Sequence, residues 1–199
     1  MARIRDLLIA SALLLLLSPL LLACALAVRR SSPGPVLFRQ RRLGLHGRPF
    51  WLLKFRSMIH NAPEVRNPDG SAYSGAGDPR VTPVGRFLRQ TSLDELPQLL
   101  NVLRGEMSLV GPRPDQVDQL RFYTEDEKRK LRVKPGMTGL AQISGRNNIP
   151  WARRKALDLE YVERHSFWLD WGILLRTLPH VLLRRDLDSP GLPVPDNHA

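Results

Sequence analysis

An uncharged apolar run near the N-terminus constrains this chain more than any other feature of its sequence. From Leu7 to Val28 no residue carries a charged side chain. At about 1.5 Å of rise per residue, a straight helix of that length would cross the roughly 30 Å hydrocarbon core of a membrane. Three structures fit this pattern: a cleaved secretory signal, which the box Leu21–Cys24 resembles, a single-pass anchor, and a helix that enters the membrane, bends and leaves on the same side.

The charges that flank the run argue against secretion. Residues 29–56 contain arginine and lysine but no acidic residue, and a basic flank stays on the cytoplasmic side of a membrane. Cys24 is the only cysteine, so the sequence gives no sign of a disulfide-stabilised secreted domain. The single-pass anchor and the re-entrant helix are the interpretations that remain.

Ser18 and Pro19 interrupt the middle of the apolar run. Proline lacks a backbone donor and clashes with the carbonyl group four residues earlier, so we expect a kink at this point. The Ser18 hydroxyl can donate a hydrogen bond to a carbonyl oxygen that the kink frees. Because proline kinks also occur in spanning helices, these residues alone do not decide between an anchor and a re-entrant helix.

The net charge of +11 points to a polyanionic partner, which could be nucleic acid, an anionic membrane surface or a phosphorylated substrate. No nucleic-acid-binding motif supports the first of these. The histidines lack the spacing of a zinc enzyme, and the chain has no Walker or Gly-x-Gly-x-x-Gly loop. Zinc-enzyme, ATPase and dinucleotide-binding functions therefore lack support in the sequence.

Beyond the apolar run, the hydrophobic pattern predicts an α+β fold that is mostly helical with one short β-hairpin. Two apolar runs, Val36–Gln40 and Phe50–Phe55, predict the hairpin, and residues 61–83 predict a loop rich in Pro, Gly and polar residues. Apolar spacing predicts helices over Val84–Leu88, Leu93–Leu103, Asp115–Arg132, Ala152–His165 and Phe167–Arg185. The expected domains are a membrane segment at 1–30, a catalytic domain at 31–190 and a flexible tail at 191–199.

Two of these helices carry additional signals. Ser92 and Glu95 form the pattern of a capping box, which predicts that the second helix begins at Ser92, and Gly105 is expected to end it. The last helix, Phe167–Arg185, is amphipathic and rich in aromatic residues. It either lies in a membrane interface or packs as a core helix with a solvated face.

The first candidate for chemistry is the carboxylate pair Asp94 and Glu95. In the first turn of a helix, both groups would lie beside free N–H groups, so we expect both to be ionised. Neighbouring side chains on a helix diverge by about 100°, so the two carboxylates would have different roles rather than share a proton. The alternative is ordinary helix-terminal charge with no catalytic role.

Three further stretches carry candidate cations. Arg113 lies between two prolines, which suits a fixed guanidinium for phosphate recognition or, alternatively, a rigid surface turn. Residues 134–147 combine glycines with Arg146 and could form an anion-binding loop. Residues 54–58 place Lys54 and Arg56 on a predicted strand, where a basic nucleic-acid surface is the alternative.

Together, these motifs resemble one family, the bacterial monotopic phosphoglycosyl transferases, which are also called bacterial sugar transferases. The resemblance covers nearly the whole chain. It rests on Arg3-x-x-Asp6, Ser18-Pro19, Leu93-Asp94-Glu95-Leu96-Pro97-Gln98-Leu99, Gly111-Pro112-Arg113-Pro114, residues 135–142, Asp158-x-x-Tyr161 and Ser166-x-x-x-Asp170. Within the family, residues 145–151 are similar to the type that transfers a phospho-N-acetylated amino sugar, such as diacetamidobacillosamine phosphate, for glycoprotein synthesis.

The resemblance implies a reaction and roles for particular residues. A sugar-1-phosphate would move from a UDP-sugar to polyprenol (undecaprenyl) phosphate with release of UMP, as the first membrane step of glycoconjugate assembly. Asp94 would be the nucleophile that forms an aspartyl-phosphosugar, and Mg²⁺ would be held by Glu95 and Asp94. The residues expected to contact the substrate are Lys54, Arg89, Arg113, Arg146 and Asp158.

The resemblance also implies where the protein acts. The Ser18-Pro19 pair would break a re-entrant helix, giving a monotopic protein with interfacial helices on the cytoplasmic face of the bacterial inner membrane. Its partners would be the UDP-sugar, the polyprenol phosphate and membrane lipids, with no nucleic acid, and a homodimer is left open. Two other functions remain as alternatives: a hexose-1-phosphate transferase that initiates exopolysaccharide or O-antigen synthesis, and a membrane-tethered basic binding protein.

Overall fold

The computed structural model describes residues 2–65, 73, 77–145 and 149–182. It is mostly helical, with two two-stranded sheets. Its helices are α1 (Ala2–Leu16), α2 (Ser18–Ser31), α3 (Pro83–Gln90), α4 (Gln98–Arg104), α5 (Leu140–Ile143), α6 (Trp151–Arg164) and α7 (Phe167–Leu182). Its strands are β1 (Leu37–Leu43), β2 (Pro49–Phe55), β3 (Ser108–Val110) and β4 (Gly136–Thr138). This confirms the predicted α+β class.

Some predictions fall outside the described residues. They are the end of the last predicted helix at 183–185, the tail at 191–199, Arg146, and residues 66–72 and 74–76 of the predicted loop at 61–83. The predicted helices near α3 and α6 are confirmed within one or two residues of their expected ends, and the predicted start of the last helix at Phe167 is confirmed as well.

The apolar run near the N-terminus forms a bent pair of helices. No single described helix is long and apolar enough to cross a membrane, whereas α1 and α2 together meet that criterion and are bent by 64° relative to each other. Leu17 separates them, Pro19 lies in the first turn of α2, and the Ser18 hydroxyl donates a 2.8 Å hydrogen bond to the Leu15 carbonyl oxygen. The kink and its serine contact were both predicted from the sequence and are confirmed.

The first turns of α1 are attached to the rest of the fold by buried polar contacts. The Arg5 guanidinium donates to the Asp170 carboxylate of α7 at 2.9 Å and to Asp6 at 3.0 Å. Asp170 also accepts a 2.7 Å hydrogen bond from the Tyr161 hydroxyl, and Asp6 accepts one of 2.5 Å from Ser108. These buried contacts hold the first turns of α1 against β3 and α7.

The core lies where α1, α4, β2 and α7 meet. Its largest cluster of buried apolar side chains consists of Ala10, Phe50, Leu52, Leu99, Val102, Met107, Leu109, Val110, Tyr161 and Ile173. Asn101, which is fully buried, attaches α4 to the hairpin, since it accepts from the Leu53 N–H and donates to the Trp51 carbonyl oxygen. The predicted hairpin is therefore held directly against the helix that follows the carboxylate pair.

The prediction of one helix over Asp115–Arg132 is wrong. Two 3₁₀ helices, Val117–Phe122 and Glu127–Arg132, lie there instead, with extended backbone at Tyr123. The Tyr123 hydroxyl and the Lys130 ammonium both bind the Asp115 carboxylate, so the chain folds back on Asp115 instead of continuing as a straight helix.

The parallel pair of β3 and β4 was not predicted. Ser108 pairs with Gly136 and Val110 with Thr138. A Cβ atom on Gly136 would lie 2.1 Å from the Gly111 nitrogen, so this close approach of two backbones requires glycine. The pairing fixes the start of the loop that carries Arg113.

Candidate active site

The carboxylate pair lies in a 3₁₀ turn, Leu93–Glu95, between α3 and α4. The predicted single helix over Leu93–Leu103 and its capping box are therefore wrong. Ser92 adopts a left-handed conformation (φ 56°) and makes no side-chain cap, and α4 begins only at Gln98. Glu95 is unavailable for capping because its carboxylate binds two cations from elsewhere in the fold, whereas the predicted end of the helix at Gly105 is confirmed.

Glu95 is held between a strand residue and a loop residue. Lys54 of β2 donates to Glu95 Oε1 at 2.7 Å, and Arg113 donates to the same oxygen at 2.9 Å. Burial alone would raise the pKa of Glu95, but the charges of Arg113 and Lys54 hold it well below its usual range. Glu95 is therefore ionised, as the sequence predicted.

Asp94 is in a different environment although it is the neighbouring residue. Its side chain is buried, at 7% exposure, and it accepts no hydrogen bond from the residues that the structure describes. Burial raises the pKa of Asp94 to about 6 and the Glu95 charge adds to the effect, while Lys54 opposes it. The expectation that both carboxylates are fully ionised therefore holds for Asp94 only above that pH. A weakly solvated carboxylate is a better nucleophile than a fully hydrated one.

Arg89 is the third cation near the carboxylate pair, after Lys54 and Arg113. It lies near the end of α3, and its Nε donates a 2.8 Å hydrogen bond to the Ser57 hydroxyl, just beyond β2. Its charge acts on Asp94, and burial lowers the pKa of its guanidinium. Asp94, Glu95 and three predicted cations (Lys54, Arg89 and Arg113) are thus brought together from β2, α3, the 3₁₀ turn and the loop after β3.

Asp158 lies behind this site. Its carboxylate is buried and bound to Lys130 at 2.9 Å, and Lys130 in turn binds Asp115 at 2.6 Å. Burial raises the pKa of Asp158, while Lys130 and the Arg113 backbone N–H oppose this effect, so the network lies against the loop that presents the Arg113 side chain. A direct contact of Asp158 with substrate stays a prediction, and Arg146 lies outside the described residues.

Sequence analysis did not single out two groups that the structure places beside Arg113. They are Arg42 of β1 and the buried pair of Asp115 and Lys130. The hairpin register would have been enough to put Arg42 on the same face as Lys54. The sequence gives no local sign that Asp115 pairs with Lys130. In the single helix predicted over Asp115–Arg132, the two residues would have been far apart along the helix axis and could not have met.

Asp94 and Glu95 are the side chains of this site that could hold a magnesium ion. Among the described residues, no group of three or more His, Cys, Asp or Glu side chains is arranged to hold a metal. Mg²⁺ typically binds one or two carboxylates together with substrate phosphates, and it keeps several waters. Asp94 and Glu95 supply two such carboxylates, and both cation contacts of Glu95 go to Oε1 rather than Oε2.

Comparison with known proteins gives a consistent result. The family model for bacterial sugar transferases matches residues 1–184. The exopolysaccharide production protein ExoY of Rhizobium meliloti is 47% identical over 191 residues, which cover 90% of this chain and 84% of that protein. The UDP-glucose:undecaprenyl-phosphate glucose-1-phosphate transferase of Caulobacter vibrioides is 45% identical over 190 residues, 90% of this chain and 69% of that protein.

A longer protein matches as well. The undecaprenyl-phosphate galactose phosphotransferase of Salmonella typhimurium is 44% identical over 192 residues, which cover 91% of this chain but 40% of that protein. In each of these comparisons the aligned region spans about nine-tenths of the chain, so the similarity includes the segment that carries the carboxylate pair and its cations.

Proposed function

Because the chain belongs to the bacterial sugar transferase family, we propose that it moves a sugar-1-phosphate from a UDP-sugar to undecaprenyl phosphate and releases UMP. It is a phosphotransferase. The observation that carries the proposal is a pair of adjacent carboxylates in different surroundings, with Glu95 bound directly by Lys54 and Arg113 and Asp94 buried next to it. Phosphoryl transfer through a covalent intermediate requires a nucleophile beside cations that bind phosphate.

We propose that transfer proceeds in two steps through Asp94. A carboxylate oxygen of Asp94 attacks the β-phosphorus, and the bond from that phosphorus to the bridging oxygen of UMP breaks. An oxygen of undecaprenyl phosphate then attacks the same phosphorus, and Asp94 leaves with its electron pair. Splitting the reaction in this way lets a soluble donor and a membrane-bound acceptor use the site one after the other.

The surrounding residues position and neutralise the phosphates. Arg113 offers a planar fork for two phosphate oxygens, and it is already oriented by Glu95 at 2.9 Å. Lys54 and Arg89 supply further positive charge near Asp94. Glu95 and Asp94 would hold Mg²⁺, which would neutralise charge on the diphosphate. Arg146 and Asp158 are proposed as additional substrate contacts.

The activity should depend on pH through Asp94. Its carboxylate must be ionised to attack, so kcat/KM for the UDP-sugar should be constant above pH 7 and fall below about pH 6, by about tenfold per unit. Glu95 does not add to this limb, since its pKa is held far lower. A pH profile of UMP release measures the effect. A flat profile down to about pH 5 would contradict a nucleophile in this environment.

Two classes of sugar are candidates. The relatives whose names state a sugar act on glucose or galactose, which favours a hexose-1-phosphate transferase that initiates exopolysaccharide or O-antigen synthesis. Residues 145–151 favour an N-acetylated amino sugar, as used in glycoprotein synthesis. UMP release from a panel of UDP-sugars, with undecaprenyl phosphate as acceptor, ranks the two classes by kcat/KM. If no UDP-sugar yields UMP, the remaining alternative is a membrane-tethered basic binding protein.

We further propose that the bent pair of α1 and α2 enters the membrane from the cytoplasmic face and returns to it. Large apolar side chains are exposed on the pair, including Leu8, Leu15, Leu16 and Leu22. Helix α7 packs Ile173 into the core and also exposes apolar side chains, with Trp168 at 80%, Leu175 at 64% and Leu178 at 61%. Apolar surface of this kind is typical of contact with a membrane.

The topology can be tested with single cysteines at Ala2 and Ser31 in a Cys24→Ala background. Both sites should react with a membrane-impermeant thiol reagent only after the inner membrane is permeabilised. Pro19→Leu should shift the pair toward a straight, spanning helix, because the missing N–H and the ring clash are what bend it. Labelling of the Ala2 site from the periplasm in the unaltered pair would show that the helix spans the membrane.

A further inference from the structure

We propose that Arg42 and Arg113 together form a phosphate-binding subsite beside Glu95. The subsite would take a phosphate group of the reaction, either from the donor diphosphate or from the head of the lipid acceptor. This inference rests on the proposed function for the source of the phosphate, but the binding site itself is argued from charge and contacts.

The hairpin register places Arg42 on the face that leads to the carboxylate pair. Phe38 pairs with Lys54 and Arg42 pairs with Phe50, and alternate residues of a strand share a face. Lys54 uses this face to reach Glu95, so Arg42 projects from the same side of the hairpin. Arg41, the adjacent residue, lies on the opposite face, where its guanidinium stands 6.0 Å from the Trp51 ring centre.

Arg42 makes no direct ion pair with a carboxylate of the described residues, although the charges of Asp115, Glu95 and Asp118 act on it from a distance. Its Nη2 donates to Gln40 Oε1 at 2.6 Å and its Nη1 to the Pro114 carbonyl oxygen at 3.2 Å, both of which are neutral acceptors. Its Nε is buried without any hydrogen-bond acceptor in that part of the chain. A desolvated guanidinium in this state is costly unless a negative charge compensates for it.

Arg113 adds a second positive charge to the same place. The Arg42 contact to Pro114 brings the two guanidinium groups to the same loop, and burial together with the Arg113 charge lowers the pKa of Arg42 to about 10. Two arginines that repel each other gain most from a shared anion. Glu95 and Asp115 act on both guanidinium groups, but Asp115 is already bound to Lys130, and one oxygen of Glu95 already serves both Lys54 and Arg113.

The geometry favours a phosphate over other anions. Arginine forks match the spacing of phosphate oxygens, and two of them can grip different oxygens of one tetrahedral group. The loop that carries Arg113 has little freedom, because prolines flank that residue and the Leu43 N–H binds the Asp115 carbonyl oxygen at 2.8 Å. A pre-organised pair of this kind binds without a large ordering cost.

The test compares Arg42→Gln with Arg41→Gln, the same substitution one residue away on the opposite face. The full-length proteins in detergent are titrated calorimetrically with UDP and, separately, with undecaprenyl phosphate. If the subsite takes the donor phosphate, Arg42→Gln should weaken UDP binding by at least about tenfold; if it takes the acceptor phosphate, lipid binding should weaken instead. Arg41→Gln should change neither affinity by more than about twofold.

A third variant keeps the test valid if Arg42→Gln does not fold. Arg42→Lys retains the charge but lacks the planar fork of arginine, and it should still weaken binding of the affected ligand several-fold. If the Arg42 variants bind UDP as tightly as Arg41→Gln does, and also bind undecaprenyl phosphate as tightly, the proposed subsite would be overturned. If the wild type binds phosphate through Arg42 but releases no UMP from any UDP-sugar, the proposed function fails and the subsite stands. If the wild type releases UMP but the Arg42 variants bind both ligands normally, only the subsite is ruled out.

Discussion

Replacement of Asp94 by asparagine should lower UMP release by at least about a thousandfold, a loss of about 4 kcal/mol in transition-state stabilisation. The amide has nearly the shape of the carboxylate but is a poor nucleophile toward phosphorus. The measurement is the steady-state rate with UDP-sugar, Mg²⁺ and undecaprenyl phosphate. Asp126→Asn, on an exposed residue of the surface, is the matched control and should retain full activity.

The same substitution should not destabilise the fold. The pKa of Asp94 is raised in the native state, so its charged form is disfavoured there, and this penalty is present above about pH 6 and disappears as the carboxyl is protonated. Asparagine removes the penalty at neutral pH. The unfolding temperature of Asp94→Asn should therefore equal or exceed that of the wild type; a large decrease would mean that the lost activity reflects misfolding.

The second large effect is expected for Arg113→Lys. Lysine keeps the charge and can still reach Glu95, but it offers a point charge where the planar guanidinium would grip two phosphate oxygens. The rate of UMP release should fall by at least about tenfold, roughly 1.4 kcal/mol. Arg104→Lys makes the same change at an exposed position of α4 and should leave the rate within about twofold of wild type.

An Arg113→Lys protein with near-normal turnover would show that Arg113 only shapes a turn. The structure argues against this outcome, because its guanidinium is already bound to the carboxylate next to the nucleophile. Its side chain nevertheless keeps 43% of its surface exposed, so it remains accessible to a ligand.

Local chemistry explains what the sequence predicted well. Pro19 bends the apolar run whatever surrounds it, because its ring and its missing donor act within one turn, and Ser18 compensates for the bend in place. The hairpin follows from two apolar runs joined by a glycine-containing turn. Asp94, Glu95, Lys54, Arg89 and Arg113 were identified by residue type and family resemblance, and the fold brings all five together.

Long-range contacts explain what the sequence could not predict. The sequence pattern predicts that Glu95 caps a helix. Only the fold shows that Lys54, distant in sequence, binds its carboxylate instead. Asp115 likewise binds Tyr123 and Lys130, and these contacts interrupt a segment whose apolar spacing predicts a helix. The strands β3 and β4 are three residues each, too short to give a pattern, and their pairing depends on Gly111 meeting Gly136.

The environment of Asp94 was also beyond sequence analysis. A carboxylate in the first turn of a helix would have had free N–H groups and would have ionised readily. In the 3₁₀ turn it has burial and a neighbouring negative charge instead, and both raise its pKa. Such an arrangement reduces stability at neutral pH and is typical of groups that act in chemistry.

The central claim is that Asp94 becomes covalently attached to the phosphosugar. Purified protein is incubated with a competent UDP-sugar and Mg²⁺ in the absence of lipid acceptor, and its intact mass is recorded while UMP is quantified. We expect a mass increase equal to one sugar-1-phosphate and about one UMP per active site, both absent in Asp94→Asn. An unmodified mass, with UMP released only after undecaprenyl phosphate is added to the same active enzyme, would contradict the covalent role and indicate direct transfer between donor and acceptor.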